Sequence, residues 1–294
     1  MTERPLVLGS NGRLGRALQD VIEDEYADRL GETIFATRDE IDITDQWRVA
    51  AEIERIAPTV VINCAAYAQV DACETKRELA TLVNAEAAGH IARAAAAAGA
   101  RLIHISTDLV FDGALADSGR LYREDDEPNP LSHYAASKLE GERAVMGEHP
   151  GALVLRSSWF FGPWPSTRFP ESFLLGLARG EGFRMVADRL GSPTYLRDLA
   201  RAVARLVDVR YEGILHFANT GEPTSRYHVL RALAELLGIP VARLQPLPGE
   251  LWTEDVAPRP AFSALDPSRY AELTGHRPRP WSETLEEYVS ERGA

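Results

Sequence analysis

The chain has 294 residues, 45% of them hydrophobic and 26% charged, with a formal net charge of -12. This is the composition of a globular protein, one large α/β domain or two modest ones, and it excludes a disordered chain. The acidic balance argues against a nucleic-acid partner, because phosphate backbones need clustered Lys and Arg. It leaves room for a nucleotide held by backbone amides and a few local cations.

In chain order, Pro5-Leu6-Val7-Leu8 reads as a short buried strand, followed by a glycine-rich turn and a helix to about Glu25. Thr33-Ile34-Phe35-Ala36 is a second strand. DITDQWRVAAEIERIA predicts a helix capped by Thr44 or Asp45, and Pro58 then leads into a strand at Thr59-Val60-Val61-Ile62. ELATLVNAEAAGHIARAAAAAGA predicts one long Ala-rich helix closed by Gly99, with a strand from Arg101 to Ile105 after it. SHYAASKLEGERAVMGE is helical, and Ala152 to Arg156 is another strand. The alternation specifies a parallel sheet with helices on both faces.

Beyond Gly162 the texture changes. GPWPSTRFPESF is rich in proline and aromatics, DRLGSPTYLRDLARAVARLV reads as a loop and then a helix, and GILHFANTG is strand-like. SRYHVLRALAELLGI is a helix, and PGELWTEDVAPRPAFSALDPSRYAELTG is a loop-rich tail. The expected division is a nucleotide-binding core over residues 1–161, with later segments returning to it, and a mainly substrate-binding portion over 162–294.

Gly9, Gly12 and Gly15 form G-x-x-G-x-x-G between the first strand and its helix. A tight turn, close approach of a pyrophosphate to bare backbone and close helix–strand packing each call for a glycine there. The helix N-terminus supplies amides and the positive end of a dipole for the phosphates. After the second strand comes Thr37-Arg38-Asp39, and Arg38 favours NADPH, whose 2′-phosphate a basic residue accommodates, with NADH as an alternative.

Tyr134 and Lys138 form Y-x-x-x-K on a predicted helix, a spacing that puts both side chains on one face. A tyrosine titrates near ~10 when free. A neighbouring ammonium favours the phenolate and draws that value toward the range useful for acid–base work.

With the strand-end hydroxyls of Ser106 and Thr107, this combination resembles the extended short-chain dehydrogenase/reductase superfamily and, within it, the dTDP-4-dehydrorhamnose reductases. The resemblance runs nearly end to end through LGSNGRLGRAL, DEIDITD, PTVVINCAAYAQVDACE, ISTDLVFDG, YREDDEPNPLSHYAASKLEGE, LRSSWFFG, DRLGSPT and RPAFSALD, in the family's order. It implies a Rossmann-type doubly wound parallel sheet with a smaller, mostly C-terminal substrate-binding portion. It also implies reduction of the 4-keto group of a nucleotide-linked 6-deoxy sugar, most simply dTDP-4-dehydro-L-rhamnose. Thr107 would hydrogen-bond the substrate carbonyl, Tyr134 would donate the proton, and Lys138 would be its electrostatic partner and hold the nicotinamide ribose. Asn11, Arg13 and Leu14 would join the three glycines around the phosphates. Asp42 and Ile43 would border the adenine, and Cys64, Ala65, Ala66 and Tyr67 would line the central part of the cofactor. Asn84 would prop the site from the long helix. Asp108, Leu109 and Trp159 would face the sugar, and Arg259 and Ser263 the nucleotide-sugar side.

Three positions depart from the family pattern. Leu109 stands where a tyrosine is usual, Ala68 where a threonine is usual, and Ser172 where an asparagine precedes the phenylalanine, here Phe173. These fall on the sugar contacts and leave the hydride chemistry intact. A reductase of a different nucleotide-linked 4-keto-6-deoxy sugar and a non-catalytic NADP-binding regulatory subunit therefore stand as alternatives.

The two cysteines, Cys64 and Cys73, fit neither a disulfide framework nor a metal-ligand spacing, and neither has a histidine base nearby in sequence. REDDEP reads as a solvated acidic loop, and no metal is expected. The start of the chain has no leader pattern and no segment reaches the length of a membrane span, so a cytoplasmic protein with no membrane partner is expected. Monomer and homodimer are both compatible with the sequence.

Overall fold

The computed structural model describes residues 3–30, 32–164, 169–253 and 255–292. The PSTR stretch, Pro165 to Arg168, lies outside the described residues. The first half runs β1 (Pro5–Leu8), α1 (Arg13–Glu25), α2 (Ala27–Leu30), β2 (Ile34–Ala36), α3 (Gln46–Ile56), β3 (Val60–Asn63), α4 (Val70–Thr75) and α5 (Arg77–Thr81). A π-helical turn over Leu82–Glu86 leads into α6 (Ala87–Ala97), then β4 (Arg101–Thr107), α7 (His133–Glu148) and β5 (Leu153–Ser157). The second half runs β6 (Phe160–Phe161), α8 (Glu171–Ala178), β7 (Phe183–Val186), β8 (Thr194–Tyr195), α9 (Leu196–Asp208), β9 (Gly213–Phe217) and α10 (Arg226–Leu236). It closes with β10 (Leu244–Leu247), α11 (Ser268–Thr274) and α12 (Trp281–Arg292).

Six parallel strands form one sheet in the order β2-β1-β3-β4-β5-β9. Strands β1, β3 and β5 are buried at every position, as a sheet covered on both faces requires. One face packs Leu18, Val21 and Ile22 of α1 with Leu199, Val203 and Leu206 of α9. The other packs Val49 and Ile53 of α3 with the alanines of α6. Small residues let those helices approach closely, with a Cβ at Gly89 only 3.4 Å from that of Ala144 on α7. A further core joins Phe161, Tyr195, Leu230 and Tyr288 in the second half. The strand order reverses between β1 and β3, and a crevice opens there at the carboxyl ends of the strands.

The sequence reading holds for the alternation and misplaces several details. Asp45, not Thr44, caps α3, its carboxylate accepting from the amides of Trp47 and Arg48. The long Ala-rich helix is broken by the π turn, because an extra residue in one turn leaves the apolar spacing almost unchanged. Strand β4 extends two residues past Ile105 to Thr107. The tail read as loop-rich contains α11, and α12 follows it. Glu124 of the acidic loop turns inward and accepts from the amide of His216 at 3.0 Å, so that loop is only partly solvated. Among the described residues no helix is long and apolar enough to cross a membrane.

Candidate active site

A cleft of about 1420 Å³ runs across the carboxyl ends of the strands. Its floor begins at the glycine loop. Gly9 has φ +77, and an added Cβ would stand 2.8 Å from the backbone of Ala65 on the neighbouring strand end. At Gly15 an added Cβ would stand 2.5 Å from Cα of Ser10, so α1 sits tight against the loop. No side chain caps α1 at Gly12, which leaves the first amides of the helix for an anion. Gly12, Arg13 and Leu14 line the cleft. Arg13 also closes over the loop, donating to the carbonyl of Phe160 at 3.2 Å. Asn11 uses its carbonyl to accept from Arg16.

The β2 end lies to one side of the cleft. Arg38 is largely exposed, with Nε 3.6 Å from Asp42 Oδ2. The amide and hydroxyl of Thr44 donate to Asp42 Oδ1 and hold that carboxyl below the usual carboxylate range. Ile43 is buried beneath them.

After β3, Cys64 and Ala66 line the cleft, and burial pushes the Cys64 thiol up to about 12, which makes it a poor nucleophile. The next stretch is held by Asn84. Its Oδ1 accepts from the amide of Tyr67 at 2.8 Å, and its Nδ2 donates to the Tyr67 carbonyl and to Ser137 Oγ. Asn84 is fully buried on the π turn, so it props Tyr67 without lining the cleft itself, while the amide of Ala65 donates to Asn63 Oδ1 at 3.1 Å. Gly141 of α7 permits this, since a Cβ there would be 2.1 Å from the Asn84 carbonyl oxygen.

The reacting end is built by β4 and α7. Ser132 caps α7, accepting from the amide of Ala135, and the first turns of the helix then carry Tyr134 and Lys138 into the cleft beside Thr107 and Asp108. Asp108 is buried and collects three hydroxyls: Ser158 at 2.8 Å and Ser263 at 2.5 Å on Oδ2, and Thr107 at 3.2 Å on Oδ1. Burial raises the Asp108 pKa, and the three hydroxyls oppose that rise. Burial, then the Asp108 carboxylate, push the Tyr134 phenol well up, while a hydrogen bond with Thr107 acts against them.

The expected draw of Lys138 on that phenol is not seen. Lys138 Nζ donates to the Ile105 carbonyl at 2.7 Å and lies 3.3 Å from His104 Nε2, and burial lowers its pKa to about 8. Tyr134 is thus a protonated donor at neutral pH, with its ammonium neighbour turned toward the strand.

The opposite wall comes from the second half of the chain. Trp159 lines the cleft and stands edge-on to Phe169 at 5.7 Å. A Cβ at Gly191 would be 2.9 Å from Trp159 Nε1, so that glycine makes room for the indole. Arg259 donates to Asp71 Oδ1 at 3.0 Å and to the Ala257 carbonyl. Ser263, expected from sequence on the nucleotide-sugar side, lines the cleft and gives its hydroxyl to Asp108. All three departures from the family pattern, Ala68, Leu109 and Ser172, line the cleft. Leu109 packs on the small apolar cluster of Cys73, Ala80 and Tyr134. Sequence reasoning missed Ser158, His104 and Arg226. His104 lies inside strand β4, where the apolar run around it conceals it, Ser158 directly follows β5, and Arg226 reads as an ordinary helix residue.

The arrangement suits a dinucleotide at the glycine loop and a second ligand against the far wall. The volume exceeds the roughly 300–1,000 Å³ of a pocket for one ligand. Between the two stand a protonated phenol and a hydroxyl, the pair needed to meet a carbonyl oxygen that gains charge.

Comparison with known proteins agrees with this reading. A family described as the RmlD substrate binding domain matches residues 3–293. A dTDP-4-dehydrorhamnose reductase of Mycolicibacterium smegmatis is 40% identical over 293 residues, covering 99% of this chain and 86% of that one. The crystal structure of a dTDP-4-dehydrorhamnose reductase from Bacillus anthracis in complex with NADP is 32% identical with a TM-score of 0.90, covering 99% of this chain and 100% of that one. A dTDP-4-dehydrorhamnose reductase structure from Clostridium acetobutylicum is 33% identical with a TM-score of 0.89, over 99% and 100% of the two chains.

Proposed function

The chain belongs to the family described as the RmlD substrate binding domain, and on that footing we propose that it is an NADPH-dependent oxidoreductase that converts dTDP-4-dehydro-L-rhamnose to dTDP-L-rhamnose. The observation that carries the proposal is the meeting of Thr107 and Tyr134 with the glycine loop in one cleft. Residues 1–161 with the returning strand β9 form the cofactor-binding core, and most of 162–294 builds the sugar-nucleotide wall.

Bound NADPH supplies the hydride. Gly9, Gly12 and Gly15 with Arg13 hold its phosphates, Arg38 meets the 2′-phosphate, and Ala65, Ala66 and Tyr67, the last braced by Asn84, border its centre. Lys138 orients the ribose. As charge develops on the C4 oxygen of the sugar, Tyr134 gives that oxygen its proton, and its raised pKa keeps the proton in place until then. Thr107 hydrogen-bonds the same oxygen. Its present bond to Asp108, at 3.2 Å, is longer than the usual 2.5–3.0 Å for O–H···O, so the hydroxyl turns to the substrate at little cost. Trp159 and Leu109 border the sugar ring.

The test is oxidation of NADPH by the purified protein on addition of dTDP-4-dehydro-L-rhamnose. Tyr134→Phe is expected to lower kcat by about 10²–10⁴ while NADP+ binding persists. No turnover by the unaltered protein with this sugar nucleotide refutes the proposal.

A further inference from the structure

Three guanidinium groups stand at the far wall of the cleft, on Arg189, Arg226 and Arg259. Two are committed. Arg189 pairs with Asp255 and donates to the Gly249 carbonyl, and Arg259 pairs with Asp71. Among the described residues the Arg226 guanidinium has no hydrogen bond or ion pair and rests only on the Phe169 ring, 5.7 Å from its centre.

Arg226 is exposed on the wall of the open cleft, where a ligand can reach it. It opens α10, so its charge sits at the positive end of that helix dipole. Crowding by the protein lowers its pKa. Asp255 opposes that, Arg259 adds to it, and Asp108 and Asp71 pull the other way. Asp71, Asp108 and Asp255 line the same cleft, and among the described residues none of them pairs with Arg226. The partner it lacks is an anion, and a planar guanidinium suits the paired oxygens of a phosphate. The cofactor phosphates have their own site in the uncapped amides of α1. The anion at Arg226 therefore belongs to the second ligand.

We infer that Arg226, steadied by Phe169, is a specificity-determining residue that binds the diphosphate of the sugar nucleotide. The inference rests on the function proposed above and assigns the part of the substrate that α10 reads.

Calorimetric titration of the full chain with dTDP, thymidine and NADP+ tests it in the unaltered protein, Arg226→Met and Arg226→Lys. Arg226→Met is expected to weaken dTDP roughly tenfold to a hundredfold, the scale of a charge-assisted hydrogen bond. Thymidine and NADP+ should bind as before, and Arg226→Lys should recover part of the loss. In turnover the same Met variant should raise KM for the sugar nucleotide with little change in kcat. Equal dTDP affinity in Arg226→Met overturns the inference and leaves the proposed function standing. A matching loss of NADP+ affinity also overturns it, because the residue would then be holding the fold. An unaltered protein that binds NADP+ but not dTDP overturns the proposed function, and the inference with it.

Discussion

Glu142 and Arg156 form an ion pair in the interior, 3% and 1% exposed, beneath the catalytic end of the sheet. Arg156 of β5 gives Nε and Nη2 to the two carboxylate oxygens of Glu142 at 2.9 and 2.7 Å, and Ser106 donates to the same carboxylate at 2.5 Å. Glu142 lies one helical turn beyond Lys138, and Ser106 is next to Thr107, so the pair fastens α7 to β4 where both carry candidate site residues. Arg156→Met leaves a buried, uncompensated carboxylate, which costs roughly 3–5 kcal/mol. At about 2 °C per kcal/mol for a chain of this size, Tm falls by roughly 6–10 °C. Adding Glu142→Gln removes the stranded charge and keeps an acceptor for Ser106, so the double variant should regain about half of that loss or more. Thermal unfolding followed by circular dichroism reads all three proteins. A single variant within about 2 °C of the unaltered protein, or a double variant no more stable than Arg156→Met, refutes the argument.

Two further outcomes follow from the site. Gly9→Ala forces a Cβ against the Ala65 backbone at a left-handed φ, and should abolish NADPH binding measured by fluorescence titration while the chain still folds; unchanged affinity would contradict the close approach. Lys138 has a folded pKa of about 8 against an ordinary 10.5. Between those values the unfolded chain binds more protons than the folded one, so this group's contribution to stability improves as pH rises across that window. Lys138→Met should therefore be more heat-stable than the unaltered protein at neutral pH, with an advantage that shrinks toward pH 10. A difference in Tm that does not vary with pH would refute the shift.

The architecture was legible because its signals are local. Unbroken apolar runs such as Pro5–Leu8 and Val60–Asn63 announce strands covered on both faces, and the glycine spacing marks the crevice. Val110 and Phe111, apolar residues directly after the strand-end hydroxyls, are fully buried. The site was legible where a motif fixes geometry along one helix, as with Tyr134 and Lys138. It was illegible where partners meet only through the fold. The direction of Lys138 depends on the Ile105 carbonyl and His104, which no spacing to Lys138 reveals. The protonation of Tyr134 depends on burial and on Asp108, terms that outweigh an ammonium on the same helix face. The π turn is hidden for another reason, since one extra residue in the turn LVNAE leaves the helical pattern on either side of it intact.

The carboxylate of Asp108 also has a consequence for how the protein is made. Its hydroxyl partners are Thr107, the residue just before it, and Ser158 and Ser263, which lie 50 and 155 residues further along the chain. The six-strand sheet is complete once β9 has left the ribosome at Phe217, and the glycine loop is complete long before. The reacting end is not complete until Ser263 arrives. A chain still in synthesis therefore acquires the means to hold a cofactor well before it acquires the means to use one, and the two competences are separated in time by the distance between Phe217 and Ser263.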